Sequence, residues 1–194
     1  VHFTGDAHAV GSAHNLLAAL TDNAVQRGKV PGLEPSGVTW HRVTDVEDRS
    51  LRTIVTGLGG PTNAPVRETG FDIVTASEIM ALVALSSGLE DLRARLARVV
   101  VGFARDGSAV TAEDIGAVGS MMSLLRYAIQ PNLVQTGEGQ PVMVHTGPFG
   151  NIAHGCNSVV ADRMGLAYAD YVVTEAGFGA DLGFEKFMHI KARF

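Results

Sequence analysis

Apolar residues recur at three- and four-residue spacing in several parts of the chain, and each such stretch predicts a helix. Over residues 10–27, Leu16, Leu17, Leu20 and Ala24 share one face, and Gly28 supplies a C-terminal stop. Leu51, Ile54, Val55 and Leu58 keep the same period behind Asp45, a residue type that caps helix N-termini. Further helices are expected over about 76–87, about 89–98, from Thr111 to about Ile129, and over 152–168. Thr111 and Asp114 have the spacing of a capping box. Shorter apolar runs predict strands at Val1–Thr4, Val38–Val43, Val99–Phe103 and Asp170–Thr174, the last two buried. The segments "PNLVQT" and "PVMVHT" form a further pair of strands around "GEGQ", and "ARDGS" is a turn with an Asp-Gly signal.

Strands alternate with helices along most of the chain, which predicts an α/β layer structure with a mainly parallel sheet and flanking helices. No repeat, linker or internal boundary interrupts it. In such sheets ligands bind beyond the carboxyl ends of the strands. Four polar or glycine-rich loops follow predicted strands: "TGDAH" (4–8), the loop 57–72, "HTGPFGN" (145–151) and "TEAGFGAD" (174–181). The stretch "KVPGLEPSG" (29–37) reads as a surface loop.

Composition narrows the class. The 194 residues are 46% hydrophobic, enough for a sizeable core. A formal net charge of -5 and the lack of a basic run argue against nucleic acid as a partner. No apolar run approaches the roughly 20 residues that span a bilayer. The single cysteine, Cys156, cannot form an internal disulfide and fits a reducing, cytoplasmic setting. The chain opens on "VHFTGDAHA" without Met and ends on "EKFMHIKARF" without a polar tail, and the expectation is an internal piece of a longer protein.

The candidate chemistry lies in the loops. Glu175 follows a predicted strand, where an acid can hold Mg²⁺ directly or through water, and where it can equally pair within the loop or cap a helix. Gly177 and Gly179 flank Phe178 and allow backbone N–H groups to approach an anion, as a plain glycine turn also would. Asp6 can orient a reacting amine or accept its proton, or serve as an N-cap. Arg67 can pair with a phosphate or carboxylate, or with Glu68 at the surface. Cys156 lies near His154 and His145, yet a thiol among small residues of a helix is usually buried and inert. Neither G-x-x-x-x-G-K-[ST] nor G-x-G-x-x-G is present.

Taken in order, "HFTGDAHAV", "LLAALTDN", "RETGFDI", "ASEIMAL", "QPNLVQT", "GPFGNIAHGCNS" and "DYVVTEAGFGADLGFEKF" resemble formate–tetrahydrofolate ligase over essentially the whole chain. The resemblance implies the middle part of the large nucleotide-binding domain of a longer enzyme. That domain is P-loop NTPase-like, akin to dethiobiotin synthetase, and is incomplete here. The implied reaction joins formate to tetrahydrofolate with ATP. Formate attacks the γ-phosphate to give formyl phosphate and ADP, and the folate N10 amine then attacks the formyl carbon. By this resemblance Glu175 serves the Mg²⁺–phosphate side, Gly177, Phe178 and Gly179 line the formyl phosphate pocket, Asp6 lies at the formyl-transfer centre, and the "GPFGN" loop with Gly150 lies by the nucleotide. A monovalent cation and a homo-tetramer are implied as well. The phosphate-loop lysine is expected upstream of Val1 and the pterin-stacking aromatics downstream of Phe194.

Three departures from the family pattern stand out. Pro61 replaces a usual lysine, Thr146 a usual glycine and Gly150 a usual alanine, and none of these changes falls on Asp6, Glu175 or Phe178. Two other function classes compete: a non-catalytic α/β module binding a phosphate-bearing ligand, and a hydrolase using Cys156 and a histidine.

Overall fold

The computed structural model describes residues 5–194; the predicted strand at Val1–Thr4 lies outside them. Helix α1 (Asp6–Gln26) is the axis of the core. Val10, Ala13, Leu17, Ala18 and Ala24 repeat at helical spacing and are buried on one face. That face packs against α2 (Glu78–Leu85), through Ile79, Met80 and Val83, and against α5 (Val118–Leu125), through Val118, Met121 and Leu125. Burying a side chain such as Leu17 completely contributes about 1.5–3 kcal/mol. The helix ends as its sequence predicts: Gly28 adopts φ 60 and its N–H returns to the Val25 carbonyl.

The fold is mixed α/β with small sheets and flanking helices, but the sheets are mostly antiparallel. Strand β1 (Leu33–Val38) pairs antiparallel with β6 (Val100–Ala104), and β6 with β7 (Ala109–Thr111). Strand β3 (Ile54–Thr56) pairs antiparallel with β4 (Arg67–Thr69), and β8 (Asn132–Gln135) with β9 (Pro141–Val144). Among the described residues only β2 (Arg42–Thr44) and β5 (Phe71–Ile73) run parallel. A mainly parallel sheet is therefore not formed by the described residues. Parallel pairing needs strands joined by crossovers, whereas β6–β7 and β8–β9 are joined by short turns that dictate antiparallel hairpins.

Four local expectations change. The segment after Asp45 is a 3₁₀ turn (Arg49–Leu51) followed by β3, because the β-branched run Thr53-Ile54-Val55-Thr56 favours extended backbone over helix. The loop 29–37 contributes most of β1, and Val38–Val43 divides between β1 and β2. The Thr111–Asp114 capping box is present, but the helix it opens, α4 (Ala112–Ile115), stops at Gly116 with φ 75, and α5 starts separately. Helix α6 (Val159–Tyr168) is capped by Ser158, so the stretch 152–158 is loop.

The largest difference is at Asp170–Thr174. It pairs with no strand among the described residues and is not buried: Tyr171 is 90% exposed and Val173 97%. An extended run needs a neighbour to take its backbone N–H and C=O groups. The remaining helices are α3 (Leu89–Ala97) and α7 (Glu185–His189).

Candidate functional site

Asp6 opens α1 and is 6% exposed. It is not the helix cap, since Gly5 holds that position in a left-handed conformation. Its carboxylate turns instead to the mouth of the β8–β9 hairpin. Asn132 Nδ2 lies 3.3 and 3.1 Å from Oδ1 and Oδ2 of Asp6, and the Thr146 N–H donates to Oδ2 at 3.4 Å. Thr146 takes φ 57, a left-handed backbone that is costly for a β-branched residue. Its hydroxyl is buried without a partner among the described residues.

The loop that starts at Thr146 ends on the glycine turn of residues 176–179. A Cβ on Gly150 would lie 2.4 and 2.5 Å from Cδ2 and Cε2 of Phe178, so the phenyl ring occupies the space that any side chain at 150 would fill. Gly155 and Gly177 make a similar backbone-to-backbone contact, with a Cβ on Gly177 only 2.5 Å from the Gly155 carbonyl oxygen. Phe178 itself adopts φ 57 and stays 70% exposed. Thr146 and Gly150 are four residues apart, so their Cα atoms are at most about 14 Å from each other. One short loop thus joins Asp6 at its start to Phe178 at its end. Two of the departures lie in this loop: Thr146 meets Asp6 and Gly150 meets Phe178.

Buried polar groups fix this loop from behind. His145, fully buried, donates from Nε2 to the Ala128 carbonyl at 2.6 Å, which leaves Nδ1 to accept from the Ser158 hydroxyl at 2.5 Å. The Ser158 oxygen in turn accepts the Ala161 N–H that begins α6. Burial lowers the His145 pKa, so the neutral ring these bonds require is the favoured form. Phe149 N–H bonds to the Thr75 carbonyl, and Lys186 Nζ to that of Gly150.

Glu175 is exposed. Its neighbours are held through Cys156, whose Sγ donates to the carbonyls of Ala176 at 3.2 Å and His154 at 3.3 Å. Burial pushes the Cys156 thiol up, opposite to what a thiolate nucleophile needs. His154 accepts the Cys156 N–H on Nδ1 at 3.2 Å; its Nε2 is buried without a partner among the described residues. Burial, aided by the charge of Lys191, lowers His154 to about 4, so it too is neutral. Lys191 is itself buried against Asp162 at 2.7 Å and Asn157 at 2.5 Å.

Arg67 sits elsewhere. Its Nε bonds to Asp22 Oδ1 at 2.8 Å, while Arg42 Nη2 bonds to Oδ2 at 2.7 Å; Arg67 and Asp22 are both buried. Glu68 offers Arg67 only its carbonyl oxygen. Asp22 is sixteen positions after Asp6 on α1, about 24 Å along the axis at 1.5 Å per residue. The structure therefore sets Asp6 against the start of the 146–150 loop and Phe178 against its end, packs Gly150, Gly155 and Gly177 closely, leaves Glu175 exposed two residues before Gly177, and holds Arg67 at the far end of α1. Asn132 and the backbone of Thr146 are the members that sequence reading missed. Asn132 lies inside a strand motif, where a polar side chain among apolar neighbours is the only signal. Among the described residues no three His, Cys, Asp or Glu side chains cluster as a metal site, and no helix is long and apolar enough to cross a membrane.

Residues 1–194 match the sequence model of a family described as formate–tetrahydrofolate ligase. The chain is 60% identical over 193 residues to a formate–tetrahydrofolate ligase from Saccharopolyspora erythraea, and 61% identical over 193 residues to one from Paracoccus denitrificans. In both alignments all of this chain is covered, against 34% and 35% of the relative. The chain spans about a third of the length of the curated relatives it matches.

Proposed function

This chain belongs to the formate–tetrahydrofolate ligase family, and we propose that in its full-length context it joins formate to tetrahydrofolate at the expense of ATP, passing through formyl phosphate. The observation that carries the reading is the single loop 146–150, which ties the buried carboxylate of Asp6 to the Phe178–Gly150 contact. An acyl phosphate is an anion that water destroys. Its site needs close backbone donors, an apolar wall and a base for the attacking amine. The turn at Gly177 and Gly179 offers the first, the Phe178 ring the second and Asp6 the third.

In this reading formate oxygen attacks the γ-phosphorus and ADP leaves. The folate amine then attacks the formyl carbon, phosphate leaves, and Asp6 takes the amine proton. Glu175 is a single exposed carboxylate. That suits Mg²⁺, which keeps several waters and binds through one or two carboxylates plus substrate phosphates. The ion would neutralise phosphate charge as ADP departs. Arg67 serves this reading as a buried structural partner of Asp22, and the Gly150 loop lies by the nucleotide. We further assign the chain to the middle of a P-loop NTPase-like nucleotide-binding domain in a cytoplasmic homo-tetramer that takes a monovalent cation. The test is turnover by the full-length protein with Mg-ATP, formate and tetrahydrofolate. Product that requires all three supports the reading, and a folded protein that binds nucleotide without forming product contradicts it.

A further inference from the structure

We propose that Asn132 is the positioning residue that aims the Asp6 carboxylate at the attacking amine. The inference rests on the ligase reading above. Asp6 sits in the first turn of a helix, where its two side-chain torsions could turn the carboxylate in several directions. Asn132 removes that freedom. Its amide has two N–H donors. One is engaged by the Val144 carbonyl across the hairpin at 3.1 Å, and the same nitrogen lies 3.3 and 3.1 Å from the two Asp6 oxygens. Because Asn132 and Val144 are register partners in the β8–β9 ladder, the amide cannot rotate away from Asp6 without losing its hairpin bond.

A second donor lies close by. The Thr146 N–H reaches Oδ2 from the residue just beyond His145, in a backbone conformation that a β-branched residue adopts only when its surroundings impose it. His145 supplies that constraint through its bonds to Ala128 and Ser158. The carboxylate thus takes donors from β8 and from the loop after β9, neither of them part of the helix that carries it. Asn132 touches no reacting atom in this account; it holds Asp6, as a supporting side chain fixes a base before the reaction begins.

The experiment separates the two halves of the reaction in the full-length enzyme. Formyl phosphate made from ATP and formate is trapped with hydroxylamine, and transfer is followed as folate product. Asn132→Leu should lower kcat for transfer about 10–100-fold, with the KM for folate changed less than about threefold and the trapped hydroxamate unchanged. Asn132→His, which keeps an N–H donor on a side chain of similar reach, should recover most of the loss. Should Asn132→Leu not fold, Asn132→Ala, which also lacks a donor, is read in the same way. Transfer left at the wild-type rate overturns the proposal, as does an equal fall in both halves. Asp6→Asn in parallel keeps the two readings apart. If Asp6→Asn abolishes transfer while Asn132→Leu does not, only the positioning role is lost. If Asp6→Asn transfers normally, the assignment of Asp6 falls first.

Discussion

Replacing Asp22 by Ala should be among the most damaging substitutions in this chain, although Asp22 lies far from the proposed chemistry. Its carboxylate is the shared partner of two guanidinium groups, Arg67 at 2.8 Å and Arg42 at 2.7 Å. The Arg67 side chain is only 2% exposed and that of Asp22 4%. Arg67 Nη2 and Arg42 Nη1 are already buried without partners among the described residues, so losing Asp22 leaves Arg67 with a buried, uncompensated charge. Removing one partner of a buried ion pair costs about 3–5 kcal/mol, against a typical total stability of about 5–15 kcal/mol. For a urea m-value of about 2–3 kcal/mol/M, the midpoint of the unit containing α1 should fall by roughly 1–2 M. Replacing both partners, Asp22→Leu with Arg67→Met, should recover part of that loss. Under conditions where the single variant is folded, its KM for ATP and for formate should stay within about threefold of wild type, because about 24 Å of helix separates Asp22 from Asp6. A midpoint shift worth less than about 1 kcal/mol would refute the pairing argument. A large rise in KM would show that Arg67 meets a substrate.

Gly150→Ala restores the residue usual in the family and places a Cβ 2.4 Å from the present position of the Phe178 ring, so the ring must move aside; steady-state kinetics on the full-length enzyme should show kcat/KM for formate at or above the wild-type value, and a marked fall would mean that the ring seat left by Gly150 is the one the reaction uses. Thr146→Gly keeps the N–H to Asp6 while relieving a left-handed β-branched residue, so urea unfolding should show a gain of about 1–2 kcal/mol, and a loss would contradict the strain argument. His14 and His154 are both lowered to about 4, chiefly by burial, from an ordinary value of 6.5. The unfolded chain therefore binds these two protons first as pH falls. Stability should be full above pH 6.5 and decline towards pH 4, by about 1.4 kcal/mol per pH unit for each histidine. Urea midpoints that do not change between pH 7 and 5 would contradict the burial of these rings.

What the sequence disclosed was local, and what it hid was distant. Helices α1, α2 and α3, the Thr111–Asp114 capping box and the turns of the β6–β7 and β8–β9 hairpins follow from residues a few positions apart. The period of Leu51, Ile54, Val55 and Leu58 fits a helix as well as it fits nothing else, and only the β-branched run inside it favours the strand that forms. Asp170–Thr174 has the composition of a buried strand, but a strand's existence depends on neighbours that its own residues cannot reveal. In the sequence Gly177 reads as allowing a close approach to an anion; in the structure the close approach at Gly150, Gly155 and Gly177 is to one another and to Phe178, which loop composition alone does not specify. The pairs Asp6–Asn132 and Asp22–Arg67 join residues 126 and 45 positions apart. The only sequence signal for Asp22 is an acid one position from Thr21 on the buried face of α1, where a charge must find a partner.

The central claim is that the loop from Thr146 to Gly150 unites an amine-facing carboxylate with an acyl phosphate pocket. It is tested most directly by Asp6→Asn in the full-length protein, with formyl phosphate trapping and folate formylation measured side by side. The account predicts trapped formyl phosphate at the wild-type rate and transfer to tetrahydrofolate reduced about 100-fold or more. Normal transfer by that variant, or loss of both halves together in a folded protein, would contradict it.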